Sequence, residues 1–224
     1  MAIRRRSEAR NQDGKLSILF TLNKNKMRIL LTVLIMFCTL MQQGCKKETT
    51  EPIRFEFRLE GVNGIECYSV EKCYRVKGES EVVIPDMWEG LPVLCIEGYA
   101  FLDAGEPSRL DCGAVQIIKT NAFFSLQLLK EVNLRNVRVI GEAAFVSCSS
   151  LESIVIPESV EEIGSWAFTD CTALRHVYFE GDPSVLGRYI FRKQATLYGM
   201  PGGNVEQYAQ ENGLSFCDIA LADQ

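Results

Sequence analysis

The residues able to do chemistry are few and badly placed for it. A single histidine, His176, stands among nine cysteines and 29 acidic side chains in 224 residues. A lone histidine catalyses only with a matched nucleophile and an orienting carboxylate, and no serine or cysteine motif supplies them. No spacing of cysteine, histidine and acid matches a zinc site, and the Cys-x-x-Cys, phosphate-loop, dinucleotide and His-Glu-x-x-His signatures do not occur. The carboxylates are scattered as on a solvated surface, and a hydrolytic pair depends on a separation in space that spacing does not reveal. The chain is therefore read as a non-enzyme without metal or cofactor.

The net charge of -5 is unevenly distributed: Met1 to Gly44 holds 8 Lys+Arg against 2 Asp+Glu, and the remainder 16 against 27. So acidic a domain repels phosphate backbones, which argues against a nucleic-acid partner. The basic block RRRSEAR at Arg4 to Arg10 has a better use in export than as a nucleic-acid arm. Downstream, Lys24, Lys26 and Arg28 precede a thirteen-residue apolar core, Ile29 to Met41, too short for the roughly 20 residues of a membrane span. Residues 1–44 are thus an export segment with its core at 27–44, and Met27 is a plausible start that would leave 1–26 outside it. Gln42-Gln43-Gly44-Cys45 resembles the lipobox of bacterial lipoproteins, with Gln42 where an apolar residue is usual. That resemblance implies cleavage before Cys45, lipid on its thiol, and membrane contact through the lipid anchor only. Residues 45–52 read as a tether.

Beyond the tether the sequence repeats itself. Ala-Phe occurs at Ala100-Phe101, Ala122-Phe123, Ala144-Phe145 and Ala167-Phe168, with a degenerate copy at Ile190-Phe191, at steps of 22 to 23 residues. An apolar residue stands four before each pair (Ile96, Ile118, Ile140, Ile163, Leu186). Leu129, Leu151 and Leu174 follow at plus six, each leading into a period-two strand signal such as Ile154-x-Ile156. Such a period means a solenoid whose coils bury their apolar faces only against one another. Ala100, Phe101, Ala122, Phe123, Ala144, Phe145, Cys148, Leu151, Ile154, Ile156, Ala167, Phe168, Cys171 and Leu174 are the expected stacking residues. Gly141 and Gly164 are expected at tight corners, where glycine permits a positive φ, and the stretch AGEPSRLDCGA predicts a distorted second coil.

The pattern I-G-x-x-A-F-x-x-C-x-x-L-x-x-V/I-x-I-P resembles the BspA-type leucine-rich repeat of surface lipoproteins and adhesins of anaerobic bacteria. The resemblance implies an α+β solenoid, a right-handed coil of short strands and helical turns over residues 82–199. It also implies a location on the bacterial cell envelope, lipid-anchored to the outer membrane, and binding of a protein or glycan partner in adhesion. A structural or assembly subunit of an envelope complex is the second reading.

The ends must be capped. Residues 53–81 predict an N-terminal β cap, with a strand at Ile53 to Leu59 and two more between Ile65 and Val76. Residues 200–224 predict a helix and strand, with Asn204 as N-cap, Val205, Tyr208 and Ala209 on one face and Gly213 at the end. Of the remaining cysteines, Cys148 and Cys171 occupy one repeat position and read as buried small hydrophobes. Cys67 and Cys73 can face each other across a hairpin, as thiols or as a disulfide. Glu131, Asn133, Ser153, Val155, His176 and Tyr178 are expected to form two rows on one exposed sheet face, flanked by Arg135 and Arg175. That face is the candidate ligand-binding surface.

Overall fold

Each coil's alternation of apolar and polar residues makes a short strand whose apolar side chains turn inward, and the next coil lays an equivalent strand beside it. The computed structural model describes residues 53–74 and 81–221, all within the compact unit Thr50–Gln224. Cys45 and the export segment lie outside the described residues. In chain order the strands are β1 Arg54–Val62, β2 Ile65–Tyr74, β3 Glu81–Val83, β4 Met87–Trp88, β5 Leu91–Ile96, β6 Arg109–Asp111, β7 Ile117–Ile118 and β8 Glu131–Asn133. They continue as β9 Val139–Ile140, β10 Ser153–Ile156, β11 Glu162–Ile163, β12 His176–Phe179, β13 Val185–Leu186 and β14 Thr196–Gly199. The helix α1, Asn204–Asn212, precedes β15, Ser215–Asp218, and a 3₁₀ turn at Ile219–Leu221.

Two walls enclose the core. One is a sheet in the order β1-β2-β5-β7-β9-β11-β13, with β4 paired to β5. The opposite wall is split into a three-stranded sheet, β3-β6-β8, and a four-stranded one, β10-β12-β14-β15. The result is a parallel β-solenoid of about six turns. Between the walls Phe101, Phe123, Phe145, Phe168 and Phe191 stack in a column with ring centroids 4.8, 5.0, 5.1 and 5.3 Å apart. These are close to the inter-strand spacing that sets the rise per coil. The alanine column beside it is equally buried. Its carbonyls accept from the preceding coil's phenylalanine N–H, as in Phe123 N to Ala144 O at 2.9 Å and Phe145 N to Ala167 O at 2.8 Å. Leu151, Ile154, Ile156 and Leu174 are at most 3% exposed.

The expected helical turns are absent, and α1 is the only α-helix among the described residues. The residue before each Ala-Phe pair is left-handed: Tyr99, Asn121, Ala143, Trp166 and Tyr189 have φ between 52° and 59°. Ser125, Ser147 and Asp170 repeat this four residues on. A left-handed residue every few positions reverses the chain and prevents a run of helical bonds. The backbone groups bond between coils instead, as Asn121 N does to Glu142 O and Ser125 N to Val146 O.

The glycine expectation also changes. Gly141 and Gly164 are not among the glycines with positive φ. They pass so close to the preceding coil that a Cβ on Gly141 would lie 2.7 Å from Ile118 O, and one on Gly164 2.5 Å from the Glu142 nitrogen. Close backbone approach, not conformation, is what requires glycine there.

Four further expectations are corrected. The second coil is regular where it matters: β6 pairs in register with both β3 and β8, because Leu110 occupies the inward position despite the polar residues around it. The segment from Ile65 makes one long strand, β2, bulged against β1 between Glu56 and Phe57. Cys67 and Cys73 therefore lie six residues apart on one extended strand, about 20 Å at strand rise, and cannot bridge. At the other end Gly203, not Asn204, is the N-cap of α1. The Asp182 carboxylate receives the Asn204 and Val205 N–H groups at 2.9 and 3.0 Å, while Gly213 ends the helix with φ 64°.

Candidate binding surface

On the split wall, outward positions fall into two rows set by strand register. One runs Glu81, Arg109, Glu131 on the first sheet and Ser153, His176, Thr196, Ser215 on the second. The other runs Val83, Asp111, Asn133, then Val155, Tyr178, Tyr198, Cys217. Of the residues expected to form the face, Glu131, Asn133, Ser153, Val155 and His176 are exposed and Tyr178 is half-buried. The structure brings Ser153, Val155, His176 and Tyr178 together on paired strands. It sets Glu131 and Asn133 on the neighbouring sheet, since no strand pairing joins β8 to β10 among the described residues.

This seam falls where the coil lengthens. Buried Leu134 and Val137 are three residues apart, whereas their equivalents Ile156 and Val160 are four apart. The extra residue sits in the Pro157-Glu158-Ser159 corner that follows β10. Along the seam lies a shallow groove of about 350 Å³, lined by Arg109, Asp111, Glu131, Asn133, Ser153 and Val155 among others. Arg109 Nε donates to Glu131 Oε2 at 2.9 Å beside it, an exposed pair that contributes little to stability.

The second sheet has a different chemistry. Tyr178 and Tyr198 stack at 4.7 Å and 20°, His176 lies 5.8 Å from the Tyr198 ring, and His176 Nδ1 is 3.1 Å from the Tyr198 hydroxyl. Desolvation first, then its neighbours Tyr178 and Cys217, pushes the Tyr198 phenol above its ordinary value. It stays protonated at neutral pH, a hydroxyl able to donate and accept. The half-face is thus aromatic and hydroxyl-rich, without a formal charge among Thr196, Tyr198, Ser215 and Cys217.

Sequence reasoning missed Thr196 and Tyr198. Tyr198 follows Tyr178 by 20 residues rather than 22 or 23, so a fixed offset passes over it. Ala195-Thr-Leu197-Tyr, with Leu197 inward, was the available signal. It also missed a stripe on the turn side, where Tyr99, Trp166 and Tyr189 are 51%, 44% and 63% exposed. These occupy the left-handed position before each Ala-Phe pair, which points outward in every coil.

Among the described residues no cluster of three metal-ligating side chains occurs, and no helix is long and apolar enough to cross a membrane. The buried thiols are poor nucleophiles: desolvation holds Cys73 and Cys95 up at about 12.

Inward-stacked repeats, inter-coil ladders and an exposed row of variable residues define a leucine-rich repeat solenoid. A family model described as the BspA type leucine rich repeat region matches residues 91–201 in six copies. The chain belongs to that family. Similar solved structures include a leucine-rich repeat protein from Bacteroides ovatus, at 20% identity over 65% of this chain and 45% of that one, with TM-score 0.45. The leucine rich repeat protein of T. pallidum aligns at 22% identity over 72% of this chain and 95% of that one, with TM-score 0.42. A leucine rich cell surface protein from Faecalibacterium prausnitzii aligns at 21% identity over 70% of this chain and 42% of that one, with TM-score 0.45. The chain thus spans less than half the length of the first and third. No curated protein matches it.

Proposed function

We propose that this chain is a lipid-anchored protein of the bacterial surface that binds a protein partner on its exposed strand rows and carries out no catalysis. The observation carrying this reading is the array His176, Tyr178 and Tyr198, mutually supported on β12 and β14. Pre-stacked tyrosines offer large contact area at small entropic cost, the property that makes tyrosine and hydroxyl side chains frequent at protein-binding surfaces. One face of each ring is covered by the other, and the edges and hydroxyls remain for a partner. Lipid on Cys45, the tether at 45–52, and the roles of 53–81 and 200–224 as caps belong to the same reading.

The test is binding of the full chain in detergent micelles to a panel of host matrix proteins, a glycan array and purified envelope proteins, beside the Tyr178→Ala/Tyr198→Ala variant. A protein ligand whose affinity falls at least tenfold in the variant supports the reading. Undiminished binding by the variant moves the site off this face, and binding confined to the glycan array replaces the protein partner with a sugar.

A further inference from the structure

We infer that β1 is a dimer interface, pairing antiparallel with β1 of a second copy of this chain about a two-fold axis at Phe57. Strand β1 is nine residues long. Among the described residues it pairs only with β2, so its other side forms the rim of the largest sheet. The other strands that end a sheet have two to four residues. A long open edge presents N–H and C=O groups that another strand can take up.

Which of these groups are open follows from the hairpin. Asn63 and Gly64 have φ of 51° and 79° and form the two-residue turn between the paired Val62 and Ile65. Such a turn closes on a hydrogen-bonded pair, and bonded and non-bonded residues alternate from there. Val62, Glu60 and Arg58 therefore direct their backbone groups to β2, while Gly61, Leu59, Phe57 and Phe55 direct theirs outward. The extra residue of the bulge belongs to β2, so the alternation along β1 is unbroken. Side chains alternate as well. Phe55 and Phe57 pack on the core, and Phe57 stacks on Trp88 at 4.5 Å, but Leu59 on the same face is 55% exposed. The opposite face carries Arg54, Glu56, Arg58 and Glu60 in alternating sign.

That charge pattern selects one pairing of two copies. Parallel alignment, residue beside identical residue, sets like charge against like. Antiparallel alignment centred on Glu56 or on Arg58 does the same. Centred on Phe55 or Leu59, it matches opposite charges but leaves the far end of the strand unpaired. Centred on Phe57, it sets Arg54 opposite Glu60 and Glu56 opposite Arg58, each twice by symmetry, along the full strand. In this register the outward backbone groups of Phe55, Phe57 and Leu59 meet those of Leu59, Phe57 and Phe55 of the second copy, which completes a ladder. Leu59 lies against Phe55 of the second copy, and its exposed surface is covered. The charged side chains already have neighbours: Arg58 pairs with Glu71, Glu60 with Lys119, and Arg54 lies 5.0 Å from the Tyr74 ring centre. Ion pairs near the surface contribute little, so charge sets the register while the ladder and the apolar contact hold the dimer.

The full chain in detergent micelles is followed by sedimentation equilibrium over a range of protein concentrations, with the detergent density-matched. A monomer–dimer equilibrium is expected. Glu56→Arg sets like charges opposite one another at both symmetry-related positions, and so does Arg58→Glu. Each is expected to weaken dimerisation by roughly tenfold or more. An equimolar mixture of the two variants restores opposite charge at every pair and should form mixed dimers with wild-type affinity, as should the double variant with itself. Both positions are exposed, and thermal melts check that each variant folds. Hydrogen exchange of the unsubstituted chain reads the same ladder: protection of the Phe55, Phe57 and Leu59 amides should rise with protein concentration. A chain that stays monomeric at every concentration overturns the inference and leaves the edge to a different partner. A dimer indifferent to the single reversals, losses that neither mixing nor the double substitution restores, or β1 protection that does not change with concentration overturns it as well.

Discussion

Phe145 stands between Phe123 and Phe168 with no exposed surface, its ring 5.0 Å from one neighbour and 5.1 Å from the other. Removing it leaves a hole in the middle of a column that coil stacking prevents from collapsing. Phe145→Ala is expected to cost about 3–5 kcal/mol, read from the denaturant midpoint, and a loss below about 1 kcal/mol would mean that the column is not the core. Gly164→Ala is the complementary case: one methyl group enters a space bounded by Glu142 N at 2.5 Å and Gly141 C at 2.7 Å. Both are backbone atoms that cannot turn aside, so the coils must part, and unfolding at lower temperature than wild type is the outcome to measure by calorimetry. The position of both residues is legible in the sequence because stacking imposes the same side chain every 22 or 23 residues. The reason for the glycine is not, because a close approach and a positive φ leave the same letter. Tyr198 was illegible for the opposite cause: outward positions are free to vary, and the shorter step before β14 hides it from a fixed period.

At the scale of elements, the β1–β2 hairpin is joined to the first two coils by charge. Lys119 Nζ donates to Glu60 at 2.9 and 3.1 Å and to Glu97 at 2.7 Å. Glu97 and Lys119 occupy the column that later coils fill with Gly141, Gly164 and Gly187, directly after the inward Ile or Leu. Burial acts to raise the Glu97 carboxyl, but the hydrogen bond and positive charge of Lys119 outweigh it and leave the group below its ordinary value. Burial acts to lower Lys119, and the two carboxylates outweigh that as well, leaving it above 10.5. A depressed acid contributes stability above its unfolded pKa and loses it as pH falls through the folded value; a raised lysine contributes below 10.5 and loses it at higher pH. Stability of the hairpin's attachment should therefore be flat between about pH 5 and pH 10 and weaken on the acid side. Hydrogen exchange of β1 and β2 amides measured at pH 3 and pH 7 checks this, with Glu97→Gln expected to remove part of the difference. At the other end Asp182 receives two N–H groups of α1 from a loop more than twenty residues earlier. Asp182→Ala is expected to cost roughly 1–2 kcal/mol, and thermal melts that do not move would show that the contact is incidental. The tie from Lys119 to Glu60 spans 59 residues and is not readable from the repeat, whereas Glu97–Lys119 and Asp182–Asn204 each span one 22-residue step but fall at positions where the repeated letters change.

For the whole molecule, the solenoid itself was the most legible feature, since repeated letters and stacked coils are the same fact. The turns were misjudged as helical because sequence periodicity marks which residues face inward, and a chain of alternating left- and right-handed turns buries the same positions as a helical turn. The anchoring half of the proposal is tested on cells. The full chain expressed with export is expected to incorporate radiolabelled fatty acid, and Cys45→Ala to incorporate none; label retained by the variant sinks the lipoprotein reading. Trp166→Ala and Tyr189→Ala on the turn side should leave partner affinity unchanged while Tyr198→Ala lowers it, which separates the two exposed stripes.

The seam between β8 and β10 has a mechanical meaning. Bonds between coils run along the axis of the stack, so tension applied to its two ends loads them lengthwise and peels coils one at a time. The wall that lacks a ladder at this junction is where peeling should begin, dividing the stack between the third and fourth Ala-Phe coils. A surface protein stretched between a membrane and a partner would then lengthen in steps at modest force while keeping the tyrosine-bearing half folded. In a force-extension trace, the first event should release the coils on the hairpin side of the junction as one block.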